Sequence, residues 1–306
     1  MLARLLRRLI LTQIALGLGI GYFAYKAMEW PSWTMYLFGA ALPFVTMLAV
    51  DVISALVSRN PTEPAAYWWR SLFGEFLAGI KVFIFRQPWT THAPTLQAAT
   101  GSSKKVPVVL VHGYLCNHRI WDDMAAALRA NGHDVYAVNL EPVFCSIDAY
   151  PPIIERAVND LIAHSGLQKV ALLGHSMGGL AIRAWVRAHG YQSVARIITL
   201  GTPHAGTKIA KATPTANARE MSWRSTWLQE LAALETEALR ALMLIGLTPQ
   251  DNIVFNQREQ VLEGIPPVVF EGIGHVQMCL EPAVIAWVQE RLAELEPVST
   301  KLLEPV

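Results

Sequence analysis

Lys169-Val-Ala-Leu-Leu-Gly-His-Ser-Met-Gly-Gly179 is the stretch that decides the fold. Its first half is a short apolar run, the pattern of a strand buried on both faces. From Met177 to about His189 the spacing becomes helical, and Gly190 supplies a C-terminal stop. The junction, Gly174-His175-Ser176-Met177-Gly178, fits G-x-S-x-G. A strand-to-helix turn this sharp holds its central residue in a strained conformation. Glycines two before and two after remove Cβ atoms that would clash there. Ser176 is then presented at the C-terminal edge of the strand. A serine that merely capped a helix would leave Gly174, Gly178 and Gly179 unexplained.

Working outward, the alternation continues. Residues 106–113, 133–140, 195–200, 242–247 and 266–271 read as further strands. Residues 119–131, 152–165 and about 282–295 read as helices, the last with Pro282 in its first turn. Strands alternating with helices predict an α/β domain, a mainly parallel sheet covered by helices on both faces. Residues 205–240 run far beyond an ordinary connection and include helical pieces. We read them as an insertion over the active-site end of the sheet, a cap.

A serine needs a base to become a nucleophile. On this strand-helix plan the partners follow in the order Ser, acid, His. Asp251 is the one aspartate after Ser176, and His275 is the one histidine after Asp251. Each follows a predicted strand. His275 is therefore expected as general base and Asp251 as the acid that orients it, with Glu259 or Glu271 as stand-ins for the acid. The Met177 N–H, at a helix N-terminus, is expected to face the developing oxyanion. A second donor is expected after the first strand, where Gly113 permits a turn; Tyr114 is preferred over Leu115. His112 and His175 are read as packing residues, and Cys116 and Cys279 as incidental.

The N-terminus has a different character. Residues 9–25 and 30–50 carry no charge, and the break at 26–29 suits a hairpin. Each stretch approaches the roughly 20 apolar residues that span a bilayer. Tyr22, Phe23, Tyr25, Trp30 and Trp33 gather near the turn, as amphipathic rings do at an interface. A cleaved signal peptide is the competing reading. Ala24 and Ala27 are out of register for cleavage, however, and a second apolar stretch follows at once. Arg4, Arg7 and Arg8 before the first span, with Arg59 and Arg70 after the second, place both ends in the cytoplasm by the positive-inside rule. Residues 64–86 put Trp69, Leu72, Phe73, Phe76, Leu77, Ile80, Phe83 and Ile84 on one helical face. That face suits either a membrane interface or packing on the catalytic domain. Pro and Ser in 87–105 mark a linker. The expected domains are a two-helix membrane anchor (1–60), an interfacial helix and linker (61–104), and a catalytic domain (105–306) with its cap.

Composition agrees with this division. Hydrophobic residues make up 53% of the 306 and charged residues 16%, against about 25% charged in soluble domains. Twenty-five basic and 24 acidic residues give a net charge of +1. That provides no global attraction to nucleic acid. The three cysteines form no CxxC pair, which disfavours a disulfide framework or a zinc site.

Val111-His-Gly113, Gly174-His-Ser-Met-Gly-Gly179, Ile197-Ile-Thr-Leu-Gly-Thr-Pro-His204 and Gly272-Ile-Gly-His275 resemble bacterial triacylglycerol lipases and related esterases of the α/β-hydrolase superfamily. The resemblance spans about residues 105–295. It implies ester hydrolysis through an acyl-enzyme on Ser176, with Asp251 and His275 completing the triad. It calls for no cofactor. Some of those lipases bind structural calcium, but no carboxylate cluster here suits one. The hairpin is a departure from the secreted members. The expected function is a membrane-anchored serine hydrolase acting on apolar, lipid-like acyl esters, in the inner membrane if the source is bacterial. An acyltransferase or thioesterase using the same triad is the alternative. An inert membrane-bound binding protein is the alternative of another class. No protein partner is identifiable.

Overall fold

Six strands build one sheet in the order β2-β1-β3-β4-β5-β6. They are β1 (Val108–Val111), β2 (Val135–Ala137), β3 (Val170–His175), β4 (Val194–Leu200), β5 (Met243–Leu247) and β6 (Val268–Val269). Every neighbouring pair is parallel, as the alternating pattern predicts. The computed structural model describes residues 1–101 and 105–295. Ser102, Ser103 and Lys104 of the expected linker, and the tail 296–306, lie outside the described residues.

The helices are α1 (Leu2–Ala27), α2 (Thr34–Ser58), α3 (Ala65–Gly79), α4 (Asp122–Ala130), α5 (Pro151–Ser165), α6 (Met177–His189), α7 (Ala216–Glu220), α8 (Thr226–Ala233), α9 (Glu237–Arg240) and α10 (Pro282–Ala293). Successive strand side chains point to opposite faces, and β1 shows this directly. Val109 and Val111 join a core built with Ile154 and Leu161 of α5 and Leu180 and Trp185 of α6. Val108 and Leu110 join the opposite core, with Met124 and Leu128 of α4 and Val284, Val288 and Leu292 of α10. The sheet is thus buried on both faces, which is why its central strands are apolar without alternation. Part of the expected linker packs on this body. Gln97 exchanges backbone hydrogen bonds of 2.8 and 2.9 Å with Val135 and so covers the edge strand β2.

Helices α1 and α2 form an antiparallel hairpin. Each is long and apolar enough to cross a membrane. At 1.5 Å rise per residue, each measures roughly 38 Å, against about 30 Å for a bilayer core. Gly17 and Gly21, four apart on α1, meet the α2 backbone at Phe38 and Met35, whereas Gly19 faces open space. Small residues at this spacing let helix backbones approach closely. Gln13 Nε2 donates to Thr46 Oγ1 across the pair at 2.9 Å. The aromatic residues at the turn, Tyr22, Phe23, Trp30 and Trp33, are exposed.

The hairpin base rests on the C-terminal edge of the sheet. The Met1 amine meets Glu141 at 2.6 Å, just beyond β2. At the end of α2, Ser54 Oγ accepts from Asn252 Nδ2 at 3.0 Å, and the Ser58 carbonyl accepts from Gln257 Nε2 at 3.1 Å, both beyond β5. Helix α3 continues into a π-helical stretch, Ile80–Arg86. Arg86 is tied there to Asp123 of α4 at 2.7 Å. The buried face of α3 is Trp68, Ser71, Glu75, Ala78 and Gly79. Trp69, Phe73 and Leu77 of the expected apolar face are turned outward. Leu72, Phe76, Ile80, Phe83 and Ile84 of that stripe are half-buried, with Phe83 against the core, so the α/β body takes the face centred on Trp68 and Glu75 and only the margin of the stripe.

Candidate active site

Ser176 occupies the junction of β3 and α6 with φ 55° and ψ −129°. A β carbon on Gly178 would strike the Val111 carbonyl, so this corner excludes a side chain. The Ser176 N–H donates to the Leu200 carbonyl of β4 at 2.9 Å, which pins the turn to the sheet. The loop after β1 passes over the serine. A Cβ on Gly113 would lie 2.7 Å from Ser176 Cβ and 3.2 Å from its Oγ. Tyr114 follows Gly113 in that loop and Met177 follows Ser176 at the start of α6, and neither N–H donates to another described residue.

Beyond β5, Asp251 Oδ2 meets His275 Nδ1 at 2.7 Å, with both side chains almost wholly buried. Asp251 Oδ1 accepts the N–H groups of Ile253 and Val254 at 2.9 and 2.7 Å. The carboxylate is thereby held in one orientation, and it fixes the imidazole through Nδ1. The two loops are tied together. Thr248 Oγ1 donates to the Ile273 carbonyl at 2.7 Å, and Gln250 Oε1 accepts the Gly272 N–H at 2.6 Å. Gly201, at the end of β4, packs close to both Asp251 Oδ2 and His275 Nδ1. Burial works against a charged His275, but the Asp251 carboxylate outweighs it, with Glu75 adding to the effect; the pKa of His275 is raised. Asp251 and His275 thus meet next to the serine corner, although no hydrogen bond joins Ser176 Oγ to His275 among the described residues. Such bonds are often long before substrate binds.

Three other histidines are accounted for by packing. His175 Nε2 donates to the His275 carbonyl at 3.0 Å. His112 Nδ1 donates to the Gly113 carbonyl while its Nε2 accepts the Leu140 N–H, so it buttresses the loop as a neutral ring. Burial pushes its pKa down to about 4. His204 bridges Thr199 and Arg183, and burial likewise keeps it neutral. Glu259 and Glu271 pair with Arg224 and Arg258 at the surface and so do not replace Asp251. Cys116 and Cys279 are buried, and burial raises both thiol pKa values, Cys116 to about 12. Among the described residues, no cluster of His, Cys, Asp or Glu is arranged to hold a metal ion.

The expected cap, 205–240, contains α7, α8 and α9 and reaches the junction of β3 and α6. Asn217 is fully buried; its Nδ2 donates to the Val143 carbonyl at 2.8 Å and lies 3.7 Å from Met177 Sδ. Glu220 accepts from Ser146 Oγ and the Ile147 N–H at 2.5 and 2.7 Å. Two residues near the site, Glu75 and Asn252, are not among those expected from the sequence. Glu75 Oε1 and Oε2 accept the N–H groups of Val276 and Gln277, each at 3.0 Å. Asn252 Oδ1 accepts the His275 N–H at 3.4 Å. The one signal for Glu75 is a single carboxylate inside an aromatic-rich helix.

A family model described as the alpha/beta hydrolase fold matches residues 106–263. Two curated relatives, each a triacylglycerol lipase, are 36% identical over 122 residues. One is from Pseudarthrobacter phenanthrenivorans and the other from Burkholderia plantarii. The match covers 37% of this chain, and 38% and 34% of those proteins, so the chain spans about a third of their length. Among solved structures, the mature Bacillus licheniformis lipase superposes with a TM-score of 0.57 at 16% identity, over 66% of this chain and 99% of that one. Aspergillus fumigatus lipase B gives 0.59 at 16% identity, over 99% of this chain and 84% of that one. At such identities the likeness is one of fold.

Proposed function

The chain belongs to the alpha/beta hydrolase fold family, and on that premise we propose that it is a membrane-anchored serine hydrolase of apolar carboxylic esters. The observation that carries the reading is the 2.7 Å contact of Asp251 with His275, buried beside a serine held at positive φ in a glycine-framed corner. Ser176 Oγ attacks the acyl carbonyl. His275 Nε2 takes the serine proton, and Asp251 stabilises the imidazolium through Nδ1. The oxyanion is received by the Met177 and Tyr114 N–H groups. The ester C–O bond breaks, His275 returns the proton to the leaving alcohol, and the acyl group remains on Ser176. Water, activated by the same histidine, then releases the acid.

The lipase relatives support a lipid-like ester as substrate. The placement of the site beneath the base of an apolar hairpin supports a substrate drawn from the bilayer. In this reading the hairpin spans the membrane and the catalytic body lies on the cytoplasmic side. The deciding experiment is labelling of membranes with a fluorophosphonate probe. Wild type labels, whereas Ser176→Ala and His275→Ala do not. Ser176→Ala also loses at least about 10³-fold in hydrolysis of a short-chain nitrophenyl ester. Full activity in Ser176→Ala would overturn the assignment.

A further inference from the structure

Glu75 is a buried carboxylate that the hydrolytic steps do not use. It projects from α3 into the loop that carries His275. That loop enters a single 3-10 turn, Val276–Cys279, with His275 at its N-cap position. The first N–H groups of any helical turn lack internal partners. Here both are taken by Glu75, from about two hundred residues earlier in the chain. Gly74 leaves room for the Gln277 side chain against α3, and Gly274 lies directly on the Glu75 carboxylate. With the His275 N–H on Asn252 and its carbonyl on His175, the backbone of the base is held on three sides.

The geometry points to Glu75 as a positioning residue for His275, through which the membrane-proximal helix sets the alignment of the catalytic base. The inference rests on the serine-hydrolase reading. A base displaced by even about 1 Å can slow an enzyme on the order of a hundredfold, so the carboxylate acts on rate without touching substrate. Its negative charge also favours the imidazolium, reinforcing Asp251. Burial raises the pKa of Glu75 itself, opposed by His275 and by the two N–H groups. The other titratable groups around it are Asp51 on α2, Asp251 on the acid loop, Cys116 after β1, and Cys279.

The test uses the full chain in detergent, with a short-chain nitrophenyl ester and the fluorophosphonate probe. Glu75→Gln should lower kcat by about tenfold to a hundredfold, with KM little changed. The acid limb of its kcat/KM profile should move to lower pH, because a base that loses a stabilising charge deprotonates more readily. Glu75→Asp keeps the charge but shortens the reach. It should leave the acid limb in place, reduce kcat, and recover part of what Gln loses. If Glu75→Gln does not fold, the Asp variant carries the test alone, and a wild-type kcat in it overturns the assignment. A Gln variant with wild-type kcat, or with a lowered kcat and an unmoved limb, also overturns it. Wild type that fails to label, by contrast, refutes the hydrolase reading itself.

Discussion

One oxygen of Asp251 is committed to the Ile253 and Val254 N–H groups and the other to His275 Nδ1. An amide at this position keeps the shape but not the function. In Asp251→Asn, the oxygen stays on the two backbone donors and an NH₂ faces the imidazole. His275 must then accept at Nδ1 and carry its proton on Nε2, where it cannot take one from Ser176. The expected loss in kcat is about 10⁴-fold, with folding retained. The pH profile gives a second readout. On the proposed mechanism His275 works as a base only when neutral, so activity should rise with pH through its pKa. That pKa is raised above the ordinary 6.5, which places the wild-type acid limb above 6.5. Loss of the Asp251 charge should move the limb downward. A loss of less than tenfold, or an unmoved limb, would show that another group orients the ring.

At the scale of elements, the 205–240 segment and α6 are joined by a buried ion pair. Arg183 Nε meets Glu235 Oε1 at 2.5 Å, with the two side chains 1% and 4% exposed. Burying two charges is tolerable only while they remain together. Glu235→Ala should therefore destabilise the fold by about 3–5 kcal/mol, read from thermal unfolding in detergent. A loss under about 1 kcal/mol would mean that Arg183 reaches solvent or another partner. The elements differ in how far the sequence exposes them. β3 and α6 were legible almost to the residue, because strand pattern, glycine placement and helix stop all agree there. The expected strand at 266–271 shrinks to Val268–Val269 at the sheet edge, where both side chains are exposed and packing does not extend the pairing. The pairing of Asp251 with His275 was legible because chain order and strand ends constrain both residues. The face that α3 buries was not. Hydrophobic periodicity finds the greasy stripe, but it does not say whether protein or membrane covers it. The partners of Glu75 are backbone N–H groups far along the chain, and no side-chain pattern announces them.

For the whole molecule, the N-terminal segment is more than a tether. Ser54 holds Asn252, the Ser58 carbonyl holds Gln257, Glu63 pairs with Arg258 at 2.5 Å, and Gln87 caps the Asn117 loop. The sequence placed a boundary near residue 104 from composition, yet these contacts join the two sides around the acid and base loops. A fragment of residues 105–306 should therefore be poorly folded and at least tenfold less reactive with the fluorophosphonate probe than the full chain, since misplacing a base costs about that much or more. A soluble fragment with full reactivity would restore the tether picture. The contact between Glu75 and Val276 also has a consequence for biosynthesis, because its ends lie 201 residues apart. At roughly 5–20 residues per second, a ribosome delivers the second end some 10–40 s after the first. During that interval the hairpin and α3 have left the ribosome while the loop whose N–H groups bind the carboxylate does not yet exist. The glutamate of α3 must wait without these two partners until the loop after β6 arrives, so on the proposed reading the hairpin enters the membrane before Asp251 and His275 can meet.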